Sequence, residues 1–103
     1  MDEVEQAVCE IVAGIAGARR VTPSQRLYHD LGLAGDDVVE LLDEVQARFG
    51  TRFMELQFYD YFPDEGEALM DRLERLLRVA KPRKPVTVRH LAAVVRRGAW
   101  FDP

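Results

Sequence analysis

Leu27-Tyr28-His29-Asp30-Leu31-Gly32-Leu33-Ala34-Gly35-Asp36-Asp37 is the stretch whose reading decides the fold, together with the segment that continues it to Phe49. The run from Leu27 to Gly32 sets leucines and a glycine in a loop. From Asp36 onward the pattern changes. Val38, Leu41, Leu42, Val45 and Phe49 recur at the spacing of one helical face. Asp36, Asp37, Glu40, Asp43 and Glu44 crowd the start and the polar side. Asp36 or Asp37 is expected to cap the helix by accepting orphan backbone N–H groups, and acids in the first turn suit the positive end of the helix dipole. Gly50 follows as the stop. A helix over 36–49 is predicted.

Upstream, Val4, Ala7, Val8, Ile11, Val12 and Ile15 form the apolar stripe of a first helix over about 2–16, with Gly17 as its stop. Cys9 flanks that stripe and reads as a small buried or half-buried side chain, since no basic neighbour is there to activate it. Residues 18–35 form a long loop, with a turn of helix expected after Thr22 and Pro23. Val21, Leu27, Leu31 and Leu33 are the side chains expected to pin it.

Downstream, Phe53, Leu56 and Phe58 alternate loosely and suggest a short strand, and the residues just before Pro63 a short helix. This aromatic stretch reads chiefly as core, with an apolar ligand groove as the alternative. Residues from Asp64 to about Ala80 read as a further helix, with Leu69, Leu73, Leu76, Leu77 and Ala80 at helical spacing. The basic linker Lys81-Pro82-Arg83-Lys84-Pro85 leads to a last helix capped by Thr87 and ended by Gly98. Trp100 and Phe101 lie just beyond that stop, and Trp100 is expected to fold back onto the first or the last helix.

A chain of 103 residues, 48% hydrophobic and 31% charged, fits one domain with a modest core. No apolar run approaches the roughly 18 residues of a membrane span. The acidic start at Asp2, Glu3 and Glu5 is unlike a secretory signal, so a cytoplasmic protein is expected. Cys9 is the sole cysteine, which rules out an internal disulfide. The net charge of −4 is unevenly spread. Six acids and no base lie between Asp30 and Ala47, whereas nine bases and the single acid Glu74 lie between Arg72 and Gly98.

Catalytic chemistry is hard to assemble from these residues. His29 and His90 are the only histidines and lie far apart; zinc-ligand spacings, phosphate loops and nucleophile elbows are missing. No catalytic residue is assigned. The acids Asp30, Asp36, Asp37 and Glu40 could offer oxygens to a divalent cation, but without the ligand rhythm of a calcium loop they read as a solvated capping face. No metal site is assigned. The basic end could touch phosphates, but the chain as a whole is acidic and carries no recognition motif, so nucleic acid is not the expected partner.

Leu27 to Leu41 also resembles, without gaps, the pantetheine-attachment segment of acyl carrier proteins. Asp30-Leu31-Gly32, Asp37 and Val39-Glu40-Leu41 stand in their family places, and Val21-Thr22-Pro23 resembles the loop after the first carrier helix. The triplet that bears the prosthetic group reads Ala34-Gly35-Asp36, so Gly35 replaces the attachment serine. The chain is further similar to a bacterial carrier-like family of unknown function, through the Leu27–Asp37 run, Tyr61-Phe62-Pro63 with Glu65, and a tryptophan near the end. The resemblance implies a mainly α, four-helix carrier-like bundle; the Asp64 to Ala80 segment, which carrier proteins lack, lengthens it before its last helix, and the alternation of Phe53, Leu56 and Phe58 allows a short two-stranded β patch. It implies no phosphopantetheine and no other cofactor. Since carrier proteins are read through their acidic second helix, it also implies docking of a basic protein surface on Asp36, Asp37, Glu40, Asp43 and Glu44. The function expected is that of a non-enzymatic interaction module. A working acyl carrier in fatty-acid or polyketide-type metabolism is the alternative, and would need a serine at position 35. A small regulatory or nucleic-acid-binding protein using the basic C-terminal half is the second; salt-dependent binding to duplex DNA would reveal it.

Overall fold

The first helix, α1 (Glu3–Ala16), begins where the Asp2 side chain accepts the backbone N–H of Glu5 at 2.8 Å. That bond satisfies one of the donors a helix start leaves open. The computed structural model describes residues 2–63, 73, 76 and 83–103, and the expected helix from Asp64 to Ala80 lies largely outside them. Of its expected apolar positions, Leu73 and Leu76 are described, and both are exposed. The other helices are α2 (Asp36–Phe49), α3 (Phe58–Tyr61) and α4 (Val88–Arg97).

The protein is a mainly helical bundle in which α1 packs on both α2 and α4. Its core joins Val8, Ile11 and Val12 of α1 to Val38, Leu41 and Val45 of α2 and to Val88, Leu91 and Val94 of α4. These are the positions that helical periodicity selects. Cys9 is buried beside them, and burial is the main cause that raises its thiol pKa. It is therefore a packing residue with a disfavoured thiolate.

The long loop after α1 is fixed by both core and backbone. Val21, Leu27 and Leu33 are buried, and Leu31 is partly buried. The expected turn of helix at Thr22 is a simple turn, in which the Thr22 N–H donates to the Gln25 side chain at 2.8 Å. The loop's carbonyls serve α4 instead. Val88 N–H donates to Gln25 O at 2.9 Å, and Arg89 N–H to Pro23 O at 2.8 Å. Two donors that a helix start must place elsewhere are thus satisfied by the loop.

Among the described residues there is no β-sheet. Two isolated bridges, Arg26 with Thr87 and Arg52 with Ala99, are all that forms. The short strand suggested by Phe53, Leu56 and Phe58 is absent. The backbone turns directly after Arg52, and Leu56 N–H bonds Phe53 O at 3.1 Å, so no ladder can extend.

Beyond Gly98 the chain crosses to Arg52, whose carbonyl accepts Trp100 N–H at 2.8 Å. Trp100 is 5% exposed and meets Tyr61 of α3 and His90 of α4 edge-on, with ring centroids 5.4 Å and 5.3 Å away. The Asp102 carboxylate accepts both the Tyr61 hydroxyl at 3.0 Å and the Trp100 indole N–H at 3.1 Å. Tyr61 and Trp100 together hold the Asp102 pKa below the ordinary carboxylate value. Burial first, and then Asp102, push Tyr61 up to about 12.

Candidate functional site: the acidic face of the second helix

The start of α2 differs from the expected cap. Neither Asp36 nor Asp37 is the N-cap residue; Gly35 is, and it makes no side-chain cap bond. Its φ of 55° and ψ of −127° belong to backbone that residues bearing a Cβ rarely adopt. The Gly35 carbonyl accepts Val38 and Val39 N–H groups at 3.2 Å, and its own N–H donates to Pro63 O at 3.0 Å. Asp36 and Asp37 are the first two helical residues, placed to favour the dipole rather than to cap.

Asp36, Asp37, Glu40, Asp43 and Glu44 are all exposed. At about 100° per residue they occupy an arc of roughly 120°, centred away from Val38, Leu41 and Val45. Among the described residues none of the five makes an ion pair. Their charge is therefore presented to solvent, where neighbouring like charges sum to a negative potential.

Asp30 does not join them. It accepts the Arg26 guanidinium at 2.9 Å through both carboxylate oxygens and the Arg26 backbone N–H at 2.7 Å. The Arg26 side chain, then its backbone N–H, holds the Asp30 pKa down to about 2, against an ordinary 3.8. Because the folded value lies below the unfolded one, this contribution to stability is complete above pH 3.8 and is lost as pH falls toward 2. We expect NMR titration of the Asp30 carboxyl to show a midpoint near 2, moving up toward 3.8 in Arg26→Gln. Equal midpoints in the two proteins would remove Arg26 as the cause. Among the described residues no group of three or more His, Cys, Asp and Glu side chains is arranged to hold a metal ion.

Four described bases of the C-terminal half are engaged elsewhere in the fold. Arg96 pairs with Asp2 and lies 3.4 Å from Glu5, fastening α4 to α1. Arg83 donates to the Tyr59 carbonyl, and Lys84 approaches Asp60 at 3.7 Å. Arg97 covers the Phe101 ring at 5.1 Å. His90, one of two histidines, meets the Phe101 carbonyl at 2.7 Å and sits among aromatic rings.

Beside the acids lies an apolar groove, which the sequence offered at the aromatic stretch only as the alternative to core and without α2 as its second wall. Val39, off the apolar stripe, is 48% exposed, and Tyr59 of α3 is 58% exposed. With Gly35, Asp36 and Phe58 they line a shallow groove of about 280 Å³ between α2 and α3. The signal available was an apolar residue on the polar side of an amphipathic helix.

The model of a family described as "Protein of unknown function (DUF1493)" matches residues 1–102. The chain belongs to that family. No curated protein and no solved structure matches it. The match corrects the assignment to an acyl carrier protein-like family: the DUF1493 model, not a carrier-protein model, accounts for nearly the whole chain. The carrier-like features of Leu27 to Leu41 are general ones. A leucine-pinned loop, acids in a first turn and apolar residues at helical spacing mark the start of many amphipathic helices. Among the described residues, no helix of this DUF1493 protein is long and apolar enough to cross a membrane.

Proposed function

We propose that this protein is a non-enzymatic interaction module that docks a partner protein's basic surface on Asp36, Asp37, Glu40, Asp43 and Glu44. The observation that carries this reading is the exposure of all five acids on one side of α2, with no ion pair to any described base. Exposed acids in such an arc steer a cationic partner and fix its orientation more than they stabilise the fold. The basic half of the chain supports a nucleic-acid reading less well, because Arg83, Lys84, Arg96 and Arg97 all make contacts within the fold.

The test is charge reversal at Glu40, Asp43 and Glu44, which spares the helix start. Each exposed substitution should change stability by no more than about 0.5 kcal/mol. Glu40→Lys/Asp43→Lys/Glu44→Lys should therefore keep the wild-type circular dichroism while losing the partners that wild type captures. Capture by wild type should weaken with salt, since charges are screened over about 10 Å at 0.1 M. Retention of every partner by the triple variant, at low and high salt alike, rules α2 out as the recognition surface.

A further inference from the structure

The acidic face has an apolar edge at Val39, and the two together select a ligand. Asp36, three residues before Val39, and Asp43, four after it, stand on the same side of α2 and bracket its exposed side chain. Glu40 is its neighbour. Across the groove, Phe58 and Tyr59 meet edge-on at 5.2 Å and form an aromatic wall. The groove's volume of about 280 Å³ lies below the roughly 300–1,000 Å³ of pockets that enclose small molecules. It is shallow as well, so it suits one or two inserted side chains better than a whole ligand. The described residues contain no sheet edge that an extended peptide could lengthen, which sets strand addition aside, and a helix with an apolar stripe and a charged flank matches a groove that has both.

We infer that the groove between α2 and α3 receives the apolar edge of a cationic amphipathic helix from a partner protein, with Val39, Phe58 and Tyr59 taking its apolar side chains and Asp36, Glu40 and Asp43 its basic flank. This inference rests on the docking role proposed above and names the partner's chemistry. Charge complementarity argues for the occupant: an apolar patch flanked by carboxylates that make no ion pair among the described residues favours an apolar stripe flanked by lysine or arginine.

The experiment uses the full chain and a fluorescent synthetic peptide of roughly 18 residues, about five helical turns, with leucines at helical spacing and lysines flanking them. Its controls are a scrambled peptide of the same composition and a peptide with the lysines replaced by glutamine. Fluorescence anisotropy should show the patterned peptide binding at least about tenfold tighter than either control. Val39→Ser, at an exposed position, should keep the fold by circular dichroism and remove the advantage over the scrambled peptide. Equal binding of patterned and scrambled peptides overturns the groove but leaves charge-driven docking standing. Equal binding of the glutamine peptide overturns the requirement for a cation. If neither lysine peptide binds, both readings fall together. If wild type alone sediments as a dimer that Val39→Ser dissociates, a second copy fills the groove and the inference is overturned.

Discussion

Trp100→Ala should lower the unfolding free energy by about 3–5 kcal/mol, the usual cost of truncating a buried large aromatic side chain. Trp100 is 5% exposed, so almost all of its surface would become a void. The loss extends beyond its own contacts. Its indole N–H and the Tyr61 hydroxyl share the Asp102 carboxylate, and its ring lies between Tyr61 and His90. Removing the indole takes one of two donors from Asp102 and leaves Tyr61 and His90 facing a cavity. Trp100→Phe, which keeps an aromatic ring but not the N–H, should cost less than the alanine variant. Urea denaturation of the three proteins checks this. A Trp100→Ala midpoint equal to that of wild type shows that the tail makes no energetic contribution to the fold.

Replacing Gly35 should have the next largest effect. Its φ of 55° and ψ of −127° place it in backbone that disfavours a Cβ, which costs of order 1–3 kcal/mol. Gly35→Ala should therefore destabilise by about that amount, and Gly35→Val by more, because a branched side chain is stiffer still. Gly14 is the internal control. It lies inside α1 with nothing within 4 Å of an added Cβ, so Gly14→Ala should stabilise by about 0.5–1 kcal/mol. The opposite signs separate a glycine that the backbone requires from one that it tolerates. Thermal melts of the two alanine variants decide the matter, and a neutral Gly35→Ala removes the claim of a required conformation. The same constraint gives position 35 a physical reason to lack a side chain. A serine there would have to be held in strained backbone.

Local grammar made much of this legible in advance. The bounds of α2, Asp36 to Phe49, follow from its apolar period and the glycine after it; the αL backbone at Gly50, φ 71°, shows why that residue ends the helix. Thr87 caps α4 through a 3.0 Å bond to His90 N–H, as its residue type suggested. The burial of Trp100 could be expected from its place just past Gly98. What could not be read were pairings that exist only after folding. Nothing near Asp102 announces Tyr61 as its partner, and Arg96 gives no hint of Asp2. At Gly35 the residue type misled: aspartate is the favoured cap, but the positive φ needed to turn the loop into α2 gave that place to glycine. The acids of α2 were visible as a charged side, whereas the groove beside them depends on where α3 lands.

The packing of α1 against α4 carries a consequence for biosynthesis. The ribosome makes α1 first among these elements and α4 after α2 and α3. Until α4 emerges, Val8, Ile11 and Val12 have only part of their eventual cover, and Arg96 cannot reach Asp2. The Tyr61 hydroxyl likewise waits for Asp102. A nascent chain therefore holds an incomplete core while translation proceeds at about 5–20 residues per second. Exposed apolar surface on that timescale is what holdase chaperones bind, so a messenger cut before the codon for Val88 should yield a chaperone client rather than a smaller stable domain.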